Sequence, residues 1–203
     1  MGFSVKGFFY QAFIDPLLKG LRRHIASIIL PGEKVIDIAC GTGALSMTMA
    51  VHAGHVTGID LSEDMITTAS RTARKRKYSN VSFGLLDATD LSCYPDGSFD
   101  VAVSTLAMHQ FDPETGLKVL GEMHRLAKRI VIADYNHPMK PGMAAWLAWS
   151  LERIAGGDHY RNFRKYMARG GLTRLAAETG LTITSLEERG NGVFMILQAC
   201  PAS

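Results

Sequence analysis

The chain has 203 residues, 47% apolar and 20% charged, with a formal net charge of +3. That length suits one domain that buries its own core without a staple, and so small a positive charge, not gathered into a patch, argues against a nucleic-acid partner. Three widely spaced cysteines (Cys40, Cys93 and Cys200) and seven histidines without HExxH-type spacing give no disulfide framework, and no metal site is expected.

Residues 3–30 repeat apolar side chains at three- and four-residue steps, with Phe9, Phe13, Leu17, Leu21, Ile25 and Ile28 among them. The spacing predicts helix, divided at Pro16 and stopped by Pro31-Gly32. Lys6 and Asp15 interrupt the early apolar residues, so no signal peptide is read. No apolar run approaches the roughly 20 residues that span a bilayer, so a cytoplasmic protein without an integral membrane segment is expected.

Lys34 to Ala39 reads as a buried parallel strand ending in glycines, and Ala44 to Val51 as a helix packed on a sheet. Val56 to Ile59 is a second strand, closed by Asp60. Ser62 is the predicted N-cap of a helix that places Met65, Ile66, Ala69 and Ala73 on one face. Val81 to Leu86 is a third strand, Asp96-Gly97 a turn, and Phe99 to Thr105 a fourth strand. Glu114 to Ala127 is helical, with Leu117, Leu120, Met123, His124 and Leu126 inward. Ile130 to Ala133 is a fifth strand. About 45 residues of two or three helices follow. Leu181 to Glu188 and Val193 to Ala199 then flank Gly190-Asn191-Gly192 as a hairpin, which makes the last strand antiparallel. Alternating strands and helices imply an α/β fold with a mostly parallel sheet and helices on both faces.

The chemistry lies at the strand ends. Asp37 to Gly43 forms a strand-to-helix turn in which Gly41 and Gly43 let the backbone approach a ligand closely. The third glycine of a dinucleotide fingerprint is missing, which disfavours a nicotinamide dehydrogenase. The leading carboxylate of Asp37 suits a ligand with an ammonium group. Asp60 is placed to accept from two ribose hydroxyls, or to start the next helix. Asp87-Ala88, ending the third strand, faces an adenine edge or is a plain loop. Leu61 and Met65 pack on the adenine ring, Met65 alternatively in the core.

Asp37-x-Ala39-Cys40-Gly41-Thr42-Gly43, Gly58-Ile59-Asp60-Leu61-Ser62, Asp87-Ala88 and Asp96-Gly97-Ser98-Phe99-Asp100 together resemble the class I S-adenosylmethionine (SAM)-dependent methyltransferases. The ubiquinone/menaquinone C-methyltransferase-like (methyltransferase type 11) group is the most similar. The likeness is good over about residues 30–135. It implies a Rossmann-like seven-stranded sheet with its last strand antiparallel. It implies one domain, 1–203, made of a helical cap (1–30), a SAM-binding core (31–135), a helical substrate-side insertion (136–180) and a C-terminal hairpin (181–203). It implies methyl transfer from SAM to a small-molecule acceptor, leaving S-adenosylhomocysteine. Asp37, Ala39, Gly41 and Gly43 then meet the methionine part, Asp60 the ribose, and Leu61, Met65, Asp87 and Ala88 the adenine. Ser104, Leu106 and His109 stand near the methyl group.

His109 is the first candidate for a general base, because residues after the fourth strand face the crevice at the strands' carboxyl ends. Asp134, His137, His159 and Tyr160 are further candidates. Tyr10, Trp146, His159 and Tyr160 are the expected acceptor-side residues, with Phe13, Trp149 and Phe163 beside them. Two other readings stay open. One is a SAM-binding protein without turnover. The other is a lipid methyltransferase at a membrane surface, suggested by Lys6, Lys19, Arg22 and Arg23 beside Phe8, Phe9 and Phe13.

Overall fold

The computed structural model describes residues 15–201. Tyr10 and Phe13 lie outside the described residues, as does the first of the two expected N-terminal helices. The elements in order are α1 (Asp15–Ile28), β1 (Lys34–Ile38), α2 (Ala44–Met49), β2 (His55–Asp60), α3 (Glu63–Lys75), β3 (Val81–Leu85), β4 (Phe99–Thr105), α4 (Pro113–Leu126), β5 (Ala127–Tyr135), α5 (Met143–Ala155), α6 (Gly157–Ala168), α7 (Gly171–Glu178), β6 (Thr182–Arg189) and β7 (Phe194–Cys200). A 3-10 turn, Met108–Gln110, sits between β4 and α4.

The seven strands form one sheet in the order β3-β2-β1-β4-β5-β7-β6. β1 pairs in parallel with β2 and β4, and β7 runs antiparallel to both β5 and β6. Val35, Ile36 and Ile38 of β1 and Val101, Ala102 and Val103 of β4 are fully buried. Strands covered on both faces read as unbroken apolar runs, which is why the sequence marked them so clearly. Strand order reverses between β1 and β4, and the carboxyl ends at such a reversal are where sheets of this kind bind ligands.

Capping fixes the helix starts. Ser62 accepts a hydrogen bond from the Met65 amide, and Asp112 accepts from the Glu114 and Thr115 amides with Pro113 at the first helical position. The inner face of α4 is rotated from the expected one. Val119, Leu120, Met123 and Leu126 are buried, whereas Leu117 and His124 are half-buried. β5 is longer than its apolar run, because its last residues, Asp134 and Tyr135, pair with Met195 and Phe194 of β7. Met65 is exposed beside the exposed Leu61 and is not part of the α3 core face, which is built on Ala69 and Ala73. Among the described residues no helix is long and apolar enough to cross a membrane.

The loop before β4 is held by two side chains of α4, Arg125 and Glu122, whose Oε2 accepts from the Leu91 amide at 2.8 Å. Arg125 of α4 donates to Asp96 Oδ1 at 2.8 Å, to both Glu122 carboxylate oxygens at 2.7 and 3.0 Å, and to the carbonyls of Leu91 and Tyr94 at 3.0 and 2.8 Å. A guanidinium that bonds two part-buried carbonyls and two carboxylates at once is not matched by water in its place. Arg125→Ala is expected to lower the stability by about 1–3 kcal/mol in urea titration. An unchanged urea midpoint would reject that role.

Candidate active site

The turn after β1 begins in left-handed backbone. Ala39 has φ 56°, Gly41 φ 54° and Gly43 φ 72°. The two glycines serve different ends. A Cβ on Gly41 would meet nothing within 4 Å, so this glycine faces open space at the crevice. A Cβ on Gly43 would fall 2.5 Å from the Phe83 ring and 3.0 Å from the Ala69 Cβ. Gly43 is therefore required for packing the turn onto β3 and α3.

Asp60 ties this turn to the end of β2. Its Oδ2 accepts from the Gly41 amide at 2.8 Å, and its Oδ1 accepts from the Ser62 amide at 2.9 Å. The carboxylate is thereby fixed at the strand end, with lone pairs left on both oxygens. Asp37 is buried, and the Ser46 hydroxyl donates to its Oδ2 at 2.5 Å. Burial raises its pKa to about 7, Ser46 lowers it in part, and the Asp60 charge adds to the rise. Asp87 is exposed and bonded to the Thr89 amide and hydroxyl, which hold its carboxyl below the usual range. Leu61 is 73% exposed and Met65 41%, an apolar wall beside Asp60.

Leu106, just after β4, is also left-handed at φ 53°. Two non-glycine residues in this conformation, Ala39 and Leu106, thus leave the two neighbouring strands at which the order reverses. Such backbone strain concentrates at ligand sites. The buried hydroxyl oxygens of Ser104 and Thr105, at the end of β4, have no hydrogen-bond partner. Open space at Gly41, an oriented carboxylate on β2, a second one under the turn and an exposed apolar wall fit a ligand with an ammonium end, a ribose and an adenine.

A second group of side chains gathers beyond β4 and β5. His109 is 2% exposed. Its Nδ1 lies 2.6 Å from Asp134 Oδ1, and its backbone amide donates to Asp134 Oδ2 at 3.1 Å. Its Nε2 lies 3.6 Å from Glu152 Oε1. Glu152 Oε2 is 2.6 Å from His159 Nε2, and the Tyr135 hydroxyl donates to Glu152 Oε1 at 2.8 Å. Burial pushes the His109 pKa down, but the Asp134 charge, the bond to it and Glu152 outweigh this and hold it above the ordinary value. Burial pushes Glu152 up, and His159, His109 and Tyr135 together bring it below the usual value. Phe163 packs against His109, Tyr135, Trp149 and Tyr160, with ring centroids 4.7–6.4 Å apart.

The residues expected on the acceptor side divide accordingly. His109, His159, Tyr160, Trp149 and Phe163 come together. Trp146 does not, because it points to solvent from α5 at 69% exposure. His137 is exposed as well. The sequence reading missed Glu152, Tyr135 and Tyr166, whose hydroxyl donates to the Tyr135 carbonyl at 3.0 Å. A signal for Glu152 existed. Ala145, Ala148 and Glu152 follow at three- and four-residue steps and form the buried stripe of α5, so the glutamate lies on the inward face.

A family model described as a methyltransferase domain matches residues 29–172. The O-methyltransferase cnsE of Penicillium expansum is 36% identical over 125 residues, covering 58% of this chain and 45% of that protein. The chain thus spans less than half the length of that relative. A ubiquinone biosynthesis O-methyltransferase of Methylococcus capsulatus is 30% identical over 183 residues, covering 87% of this chain and 74% of the relative. Among solved structures, the PH0226 protein of Pyrococcus horikoshii superposes with a TM-score of 0.73 over 99% of this chain and all of that one, at 23% identity, a likeness of fold. With the strand-order reversal at β1 and β4, the fixed Asp60 and the match over most of its length, the chain belongs to the methyltransferase-domain family and is a SAM-dependent methyltransferase.

Proposed function

We propose that the protein methylates a hydroxyl of a small aromatic acceptor, in a single domain whose insertion, residues 136–180, forms the acceptor side. The observation that carries this reading is the aromatic and polar group of His109, Tyr135, Glu152, His159, Tyr160 and Phe163 beside the carboxyl ends of β4 and β5. Relatives named for O-methylation in ubiquinone biosynthesis support it.

When bound, SAM supplies an electrophilic methyl group on a sulfonium. The chain's own residues bind, orient and exclude water. Asp60 accepts from the ribose hydroxyls with an orientation already set by the Gly41 and Ser62 amides. Asp37 stands behind the ammonium group, Ala39 and Gly41 line the methionine part, and Ser104 offers its unpartnered hydroxyl nearby. Leu61 and Met65 flank the adenine, with Asp87 and Ala88 at its edge. His109 is a positioning residue rather than the base. Its ring is buried and faces a carboxylate at each nitrogen, so it acts through Glu152 and the aromatic lining.

Formation of S-adenosylhomocysteine should be measured with dihydroxybenzenes, aliphatic alcohols and amines as acceptors. Turnover is expected with the dihydroxybenzenes and at least about tenfold less with the others, the discrimination expected of an aromatic-lined site. Equal or better turnover of an amine or aliphatic acceptor would reject the aromatic hydroxyl, and SAM binding without any turnover would favour a non-catalytic protein.

A further inference from the structure

We infer that His109, Glu152 and His159 form a binding site for a divalent transition-metal ion of the zinc class. Among the described residues these three side chains bring one donor atom each within 4.8 Å of one another. His109 and Glu152 are buried, and His159 is half-buried. A tetrahedral zinc site with bonds of about 2.0–2.2 Å has donor atoms roughly 3.3 Å apart. His109 Nε2 lies 3.6 Å from Glu152 Oε1, close to that spacing, whereas His159 Nε2 lies 2.6 Å from the other oxygen, Oε2, an ion-pair contact that a bound ion would open.

The outer partners are those of a metal centre. His109 Nδ1 lies 2.6 Å from Asp134 Oδ1, a carboxylate that is itself held by the His109 and Tyr135 amides. That bond makes Nδ1 the donor to Asp134 and aims Nε2 at Glu152, where an ion would take the place of the Nε2 proton. A carboxylate hydrogen-bonded to the far nitrogen commonly orients a zinc-ligating histidine. Glu152 is oriented likewise, by the Tyr135 hydroxyl at 2.8 Å. The 3.6 Å between His109 Nε2 and Glu152 Oε1 is too long for a hydrogen bond, and a cation between the two would satisfy both. Imidazole donors favour zinc, cobalt or iron over magnesium and calcium, which take oxygen ligands.

The three donors come from the 3-10 turn after β4, from α5 and from α6. An ion held by them clamps both insertion helices to the end of the sheet. Three protein ligands leave a fourth position for water or an acceptor oxygen. The site shares His109, Glu152 and His159 with the proposed acceptor side but none of the side chains assigned to the cofactor, so metal binding by the resting protein and turnover of acceptors test the two readings separately.

The test uses full-length protein stripped with a chelator and dialysed. Cobalt(II) is added and its visible d–d spectrum recorded, and zinc is then added to displace it. One ion per chain is expected, with the intense bands of a four- or five-coordinate site, and zinc should raise the melting temperature. His159→Ala, at the half-exposed rim, should weaken binding at least about tenfold while leaving the circular dichroism unchanged. Glu152→Gln should abolish the cobalt bands. The spectrum of hexaaquo cobalt at equimolar protein, or unchanged affinity in folded His159→Ala protein, would overturn the site and leave a plain ion-paired cluster.

Discussion

Asp134→Ala is expected to cost about 3–5 kcal/mol of folding stability, the range for removing one partner of a buried ion pair. Asp134 is fully buried and accepts from the His109 amide at 3.1 Å and the Tyr135 amide at 2.7 Å, while holding the His109 ring at 2.6 Å. Alanine leaves two amides and an imidazole without their acceptor. Asp134→Asn keeps an acceptor oxygen but not the charge, so it should lose less. Urea unfolding of the two variants checks the order. A loss below about 1 kcal/mol for Asp134→Ala, the net value of one ordinary hydrogen bond, would contradict it.

Asp37→Asn is expected to act with opposite signs on stability and on cofactor binding. Burial holds the Asp37 pKa at about 7 in the folded protein, against an ordinary value of 3.8. Between those values the folded chain keeps a proton that the unfolded chain has released. Stability therefore falls as pH rises through this window, and the full penalty stands above its upper end. At 1.36 kcal/mol for each unit, the penalty is about 4 kcal/mol. Asparagine cannot ionise and can still accept from Ser46. The ligand-free variant should be more stable than the native protein at about pH 8, with little difference at about pH 4. SAM should bind the variant more weakly, since the ammonium group loses its carboxylate. Binding to the native protein near neutral pH should release up to about one proton, seen as a buffer-dependent heat, and binding to the variant should not. A stability difference that is the same at both pH values would show that Asp37 does not titrate in this window.

The parts of the fold legible in the sequence share a local cause. β1, β2, β4 and β5 are short apolar runs closed by glycine, aspartate or a turn, and the hairpin is announced by Gly190-Asn191-Gly192, all three at positive φ. The place of Asp60 at the end of β2 was legible because an acidic residue closes the apolar run. Its bond from the Gly41 amide was not, since the partner is known only once the turn is folded. Gly43 shows the same limit. Its need for glycine comes from the Phe83 ring across two strands, a contact that composition and spacing do not carry. The His109, Glu152 and His159 cluster was the least legible. Its members sit on a 3-10 turn and two helices, so no short spacing joins them, and the absence of HExxH-type spacing argued against any metal centre. Only the inward stripe of α5 pointed to Glu152.

Calorimetric titration of SAM into the native protein and Asp60→Ala addresses the cofactor site itself. The variant should lose about 1–3 kcal/mol of binding free energy, roughly tenfold or more in Kd, with its circular dichroism unchanged. Equal affinity in the two folded proteins would contradict a SAM site built on the carboxylate at the end of β2.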